Sequence, residues 1–149
     1  VNLPFPFPDT ESPQTRPFWE AAAREELALP RCNACGQINW YPPKRCRACD
    51  ADALAWTAVS DRATLFSWCV VERAWVKAFA GHAPYVTGLV ALDEDPAVRL
   101  VTRIVDCEPA ALRMEMPLRA VFRPLRFDGV SGEIVAPLFR PTEGTESAK

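Results

Sequence analysis

From residue 63 onward apolar and polar positions alternate with a period of two, which is the signature of half-buried strands. Ala63 to Arg73 (ATLFSWCVVER) is rich in β-branched and aromatic residues and reads as one strand, and Tyr85 to Leu92 (YVTGLVAL) as the next. Asp93-Glu94-Asp95-Pro96 is turn chemistry, so Ala97 to Val105 (AVRLVTRIV) is expected to return as the antiparallel partner. Arg99 and Arg103 share a face with Ala97 and Val101, and that face should be partly solvated. Pro109 to Met114 reads as one helical turn, Leu118 to Leu125 as a strand, Asp128 to Gly132 as a loop and Ile134 to Phe139 as the last strand. Short antiparallel strands with one intervening helical turn fit a small Greek-key barrel, and the OB-fold is the most economical arrangement.

Upstream of residue 60 the pattern differs. Pro4, Pro6, Pro8 and Pro13, interleaved with Phe5 and Phe7, forbid a helix over residues 1–16 and predict an extended or polyproline arm. A helix is predicted from Arg16 to Leu27, with Thr15 as N-cap and Pro17 in the first turn, where its missing N–H costs nothing. Phe18, Ala22 and Ala23 can share a face, with Trp19 and Leu27 nearby, and the two aromatics read as packing residues. Leu29 to Val59 is expected to be a ribbon, with a short strand at Trp40-Tyr41 and an exit strand from Leu54. The chain is thus mainly β: arm and helix at 1–28, ribbon at 29–59, barrel at 60–141 and a polar, disordered tail at 142–149.

The ribbon carries Cys32, Cys35, Cys46 and Cys49 as C-x2-C-x10-C-x2-C. No apolar run reaches the roughly 18 residues that span a bilayer, and no basic segment followed by an apolar stretch marks a signal peptide. A cytoplasmic location is expected, where thiols stay reduced and such a cluster binds metal instead of forming disulfides. Four thiolates close a tetrahedral zinc site and leave no position for water or substrate, so the metal is expected to be structural. Iron would take the same four sulfurs. Redox chemistry needs one active pair and leaves the second unexplained. Gly36 and Asp50 follow the two pairs where a tight turn calls for positive φ, and Pro42-Pro43 stiffens the return between them.

Charge and chemistry narrow the function. Net charge is 17 minus 19, or -2, against the basic surface that phosphate-backbone binding needs. Arg31, Lys44, Arg45 and Arg47 on the ribbon therefore read as solvated charges, with neither nucleic acid nor membrane as partner. The single histidine, His82, stands between Gly81 and Ala83-Pro84; with Cys69 it would form a nucleophile–base couple only if the fold joined them. A buried structural Cys69 and a loop His82 are expected instead. Paired carboxylates occur at Glu25-Glu26 and in the 93–95 turn, where solvation accounts for them. There is no H-E-x-x-H, no phosphate-cradling glycine loop and no nucleophile elbow, so no catalytic residue is assigned.

Several segments together carry a resemblance: Pro17-Phe18-Trp19, Cys32-x-x-Cys35-Gly36, Tyr41-Pro42-Pro43, Cys46-x-x-Cys49, Thr64 to Val71, Pro84-Tyr85-Val86, Met116-Pro117 and Pro137-Leu138-Phe139-Arg140-Pro141. Their order, from 17 to 141, resembles the zinc-ribbon/OB-fold family, a former domain of unknown function that accompanies thiolase-superfamily enzymes. The family often has G-x-G where this chain has Asp61-Arg62-Ala63, and glycine where Glu115 stands. The resemblance implies structural zinc and an accessory, non-catalytic role beside a thiolase-like, lipid-transfer-type subunit acting on acyl-CoA. In steroid side-chain degradation such a partner is a retro-aldol lyase. It also implies a hetero-oligomer and fusion to or association with a hotdog-fold acyl-CoA hydratase; the start at Val1-Asn2-Leu3 is compatible with an excised domain. Arg62, Arg73, Arg103 and Arg123 are then candidates for CoA phosphates. Alternatives are an accessory of a thiolase or acyltransferase, a nucleic-acid-binding OB module, or a hydrolase or transferase using His82 or Cys69.

Overall fold

In the computed structural model, residues 7–142 are described. Helix α1 (Arg16–Ala23) is followed by a two-stranded ribbon, β1 (Ala28–Cys32) and β2 (Leu54–Ala58), paired antiparallel from Ala28↔Ala58 to Cys32↔Leu54. The remaining strands are β3 (Arg62–Val71), β4 (Tyr85–Leu92), β5 (Arg99–Ile104), β6 (Pro117–Leu125) and β7 (Ile134–Pro141). They close a barrel in the order β3-β4-β5-β7-β6, the OB arrangement expected from the alternation. Closure uses an antiparallel β3–β6 pair and one parallel contact, Ile104↔Phe139. Leu65, Val90, Leu92, Leu118 and Phe139 fill the interior. Gly88 is buried on β4, where an added Cβ would stand 2.7 Å from the Ile104 side chain.

Helix α1 stops before the residue expected from its pattern. Glu25 adopts φ 61, its N–H bonds the Ala22 carbonyl at 3.0 Å, and the Glu26 N–H bonds the Ala21 carbonyl at 3.0 Å. This is a Schellman stop with glutamate in the usual glycine place. Leu27 is therefore outside the helix, although it is buried; Ala21, rather than the exposed Ala23, joins Phe18 and Ala22 on the packed face. Thr15 occupies the N-cap position, but its hydroxyl donates to the Asp9 carbonyl at 3.1 Å and caps no helical amide.

The arm differs in the part described. Asp9 Oδ1 accepts the amides of Glu11 (3.0 Å) and Ser12 (3.1 Å), which folds residues 9–15 into turns instead of an extended segment. Pro4, Phe5 and Pro6, and the tail beyond Thr142, lie outside the described residues. The strand expected at Trp40-Tyr41 is also absent. Arg47 draws both carbonyls onto its guanidinium at 3.0 Å, and the ribbon's third partner is a single bridge, Arg31↔Ile38.

Cys69 is exposed, not buried. Strict alternation through Ala63 and Leu65 would turn it inward, but the β3–β4 register shifts between Leu65 and Ser67. A bulge of one residue inverts every later side chain. Trp68 and Val70 thus pack against the core and Cys69 points away from it.

Candidate metal centre and the clefts of the barrel

The two C-x-x-C loops have one backbone plan. In the first, the Gly36 N–H bonds the Cys32 carbonyl at 2.8 Å and the Cys32 N–H bonds the Gln37 carbonyl at 2.9 Å. In the second, the Asp50 N–H bonds the Cys46 carbonyl at 2.9 Å and the Cys46 N–H bonds the Ala51 carbonyl at 3.0 Å. Gly36 and Asp50 hold the positive φ the turn requires, 78° and 59°.

These loops bring the sulfurs of Cys32, Cys35, Cys46 and Cys49 within 4.8 Å of one another, Cys32 and Cys46 buried, Cys35 and Cys49 exposed. Cys32 and Cys49 Sγ are 3.7 Å apart and Cys35 and Cys46 Sγ 3.6 Å. A tetrahedron with metal–sulfur bonds near 2.3 Å has edges of about 3.8 Å, so the donor set fits a structural zinc ion. Burial raises Cys46, but the amides of Cys49 and Ala48 and the Asn39 side chain overcome it and bring the thiol down to about 6. The Ala51 amide lowers Cys49, yet the crowded sulfurs of Cys35, Cys32 and Cys46, with desolvation, push it up to about 12. A divalent cation removes that conflict by stabilising every thiolate together.

Asn39, which no sequence pattern singled out, links the two loops. It is buried, donates to the Gln37 carbonyl at 3.0 Å and to Cys46 Sγ at 3.6 Å, and accepts the Arg47 amide at 2.9 Å. A buried amide with all its groups paired fixes one loop against the other. The ribbon arginines are engaged within the chain as well: Arg31 with Glu94, Arg45 with Asp50, and Arg47 with the carbonyls already named.

The 93–95 turn is more than solvated. Glu94 pairs with Arg31 on β1 and accepts the Ser60 amide at 2.9 Å, while Asp95 accepts Gln37 Nε2 at 2.6 Å. The β4–β5 turn thereby clamps the ribbon to the barrel. The Ser60 amide first, then Arg31, holds the Glu94 carboxyl below its usual range in spite of desolvation.

Among the clefts formed by the described residues, three bear on function. An aromatic groove of about 390 Å³ lies between the arm, α1 and the barrel, lined by Phe18, Trp19, Trp40, Tyr41, Val101 and Pro137 among others. Within its wall the Trp40 and Phe18 rings pack with centroids 5.0 Å apart, tilted by 36°. The other two, of about 230 and 400 Å³, lie where the β3–β4 and β6–β7 loops meet, and both are lined by Arg103 and Phe127. The Arg103 guanidinium lies 4.9 Å from the Tyr85 ring centroid, its Nε is buried without a hydrogen-bond partner, and burial lowers its pKa, with Tyr85 opposing. Arg123 is bound to Asp106 through both oxygens, whereas Arg62 and Arg73 are exposed. His82 ends a 3-10 turn, 5.1 Å from the Phe127 ring, and no hydrogen bond joins it to Cys69 among the described residues.

Two family models match adjoining parts of the chain. The model described as the ChsH2 rubredoxin-like zinc ribbon domain matches residues 19–55, and that of the ChsH2 C-terminal OB-fold domain matches 56–123. A DUF35 domain-containing scaffold protein of Methanocaldococcus jannaschii is 31% identical over 115 residues, 76% of this chain and 79% of that one. The chain belongs to the DUF35 family. A second scaffold protein with this domain, from Methanothermobacter thermautotrophicus, is 29% identical over 74% of this chain and 82% of its own length. A protein of Thermomonospora curvata named probable enoyl-CoA hydratase alpha subunit is 33% identical over 88% of this chain, which spans 39% of that larger protein. Among solved structures, a chain of the Ltp2-ChsH2(DUF35) aldolase matches with TM-score 0.73 and 29% identity, over 91% of this chain and 98% of that one. A DUF35-family protein from Sulfolobus solfataricus, at 12% identity and TM-score 0.56, shares the fold. No helix among the described residues is long and apolar enough to cross a membrane.

Proposed function

We propose that this chain is the accessory, non-catalytic subunit of a thiolase-fold enzyme acting on acyl-CoA, most specifically a retro-aldol lyase of steroid side-chain degradation. The observation that carries the reading is the likeness to the DUF35 chain of the Ltp2-ChsH2 aldolase along 98% of that chain's length. Cys32, Cys35, Cys46 and Cys49 would hold the zinc that stabilises the ribbon. A site closed by four sulfurs offers no vacant position to a substrate, which supports a structural role. Retro-aldol cleavage removes the β-hydroxyl proton, breaks the adjacent C–C bond and leaves the electron pair on the thioester enolate. On this reading the base and the enolate-stabilising donors belong to the partner.

The aromatic groove beside α1 suits docking on that enzyme, where the chain would order the walls of the acyl-CoA channel. Of the four barrel arginines considered for CoA phosphates, Arg103 has a buried, unsatisfied Nε, whereas Arg123 is already neutralised by Asp106. The relative in Thermomonospora curvata supports association with an acyl-CoA hydratase, by fusion or contact. The test is co-expression with the thiolase-fold subunit of the same organism and assay on a β-hydroxyacyl-CoA. Equal cleavage with and without this chain refutes the proposal.

A further inference from the structure

Residues 72–84 connect β3 and β4 in an excursion longer than a hairpin needs. Its base is fixed. Phe79 meets Phe127 of the β6–β7 loop edge-to-face at 4.8 Å, His82 lies 5.1 Å from the same ring, and a Cβ on Gly81 would come within 3.2 Å of Asp128. Its tip is the opposite: Trp75 is 100% exposed and Val76 47% exposed. Tryptophan is among the residues most buried on average, so an indole wholly in water on an anchored loop is informative. Arg73 and Lys77 flank it, both exposed and in no ion pair among the described residues.

We propose that this tip is a docking finger: Trp75 and Val76 enter an apolar pocket on the thiolase-fold partner, with Arg73 and Lys77 paired to acidic side chains on the pocket's rim. The partner's identity rests on the accessory-subunit reading; the finger itself rests on the loop. Tryptophan and arginine are the residue types that dominate binding energy at protein interfaces. Flanking cations select an acidic rim and accelerate encounter. A second copy is disfavoured, because an isologous contact through the tip would set Arg73 and Lys77 against themselves. A single-stranded nucleic acid is disfavoured by the net charge of -2, because such binding needs a positively charged groove along the backbone.

The experiment titrates the full-length chain into the purified thiolase-fold subunit and follows Kd, with Trp75→Ala, Trp75→Phe and Arg73→Glu/Lys77→Glu variants. All alter exposed positions, and melting temperature and zinc content should stay at wild-type values. Trp75→Ala should raise Kd about 30-fold or more, the threshold of an interface hot spot. Trp75→Phe should fall between, and the charge reversal should slow association. If wild type binds and every variant binds as tightly, the finger is refuted while the accessory reading stands. If wild type does not bind the subunit, the accessory reading fails and the finger's stated partner with it. Two further results overturn the finger: oligo(dT) quenching the emission of wild type but not of Trp75→Phe, or a self-dimer in sedimentation that Trp75→Ala dissolves.

Discussion

Glu94→Gln tests whether the β4–β5 turn clamps the ribbon to the barrel. The substitution keeps shape and an acceptor for the Ser60 amide but removes the charge that faces Arg31. The two side chains are 31% and 35% exposed, midway between a surface pair and a buried one. Exposed pairs contribute about 0.2–1 kcal/mol and hydrogen bonds to charged groups about 1.5–3 kcal/mol. After discounting for solvent screening, a loss of about 1 kcal/mol is expected, or about 3 °C in Tm for a chain of this size.

The pH dependence supplies the sign. The Ser60 amide and Arg31 hold the folded Glu94 pKa below its unfolded value, which is about 4.3. A depressed carboxylate stabilises the fold fully above the unfolded pKa, and the contribution disappears as pH falls through the folded one. The Tm gap between wild type and Glu94→Gln should be complete at pH 7 and close in the acid range below about pH 4. Scanning calorimetry from pH 7 to pH 3, with Arg31→Met and the double variant, measures both. In the double-variant cycle the Glu94→Gln cost should shrink when Arg31 is absent. A gap that persists unchanged at pH 3, or a cost unaffected by Arg31→Met, would show that Glu94 does not act as the anionic clamp.

Glu115 stands at φ 61 with its N–H held by the Leu65 carbonyl at 2.8 Å, so Glu115→Gly should raise stability by roughly 0.5–1 kcal/mol in thermal unfolding; an unchanged or lower Tm contradicts the strain argument. Cys46→Ser should lose stoichiometric zinc by elemental analysis and collapse the near-ultraviolet dichroism of the ribbon tryptophans, while the barrel keeps its far-ultraviolet spectrum. A Cys46→Ser protein that stayed folded and bound its partner, yet left the complex inactive, would show that the site is not merely structural.

The legible parts of this fold are those with local causes. Tyr85 to Leu92 was delimited by alternation and by turn residues at each end, and the knuckles by cysteine spacing with Gly36 and Asp50. The errors have one origin. Cys69 was misplaced because a bulge at Phe66 depends on pairing with β4, which the pattern of β3 cannot reveal. The helix end was missed because Glu25 takes a left-handed conformation that glycine usually announces. Glu94 looks solvated in the sequence because its partner, Arg31, lies 63 residues away. Asn39 carries a weak signal: an amide between two thiolate pairs, flanked by Ile38 and Trp40, has few ways to be buried without bridging them.

The joint bears on the proposed function because the two proposed docking features occupy different parts of the chain. The aromatic groove combines arm, helix and ribbon residues with Val101 and Pro137 of the barrel, so its shape depends on how ribbon and barrel are set. The Trp75 loop is anchored on the β6–β7 loop of the barrel, through Phe127. A partner using both surfaces would sense the angle between them, and that angle is held by Glu94, Asp95, Arg31 and Gln37. The cysteine cluster then acts at a distance. By fixing Arg31 and Gln37 around the first knuckle, it presents the two groups that the barrel turn grips, and on the proposed accessory role a bound metal would shape the docking surface without touching a substrate.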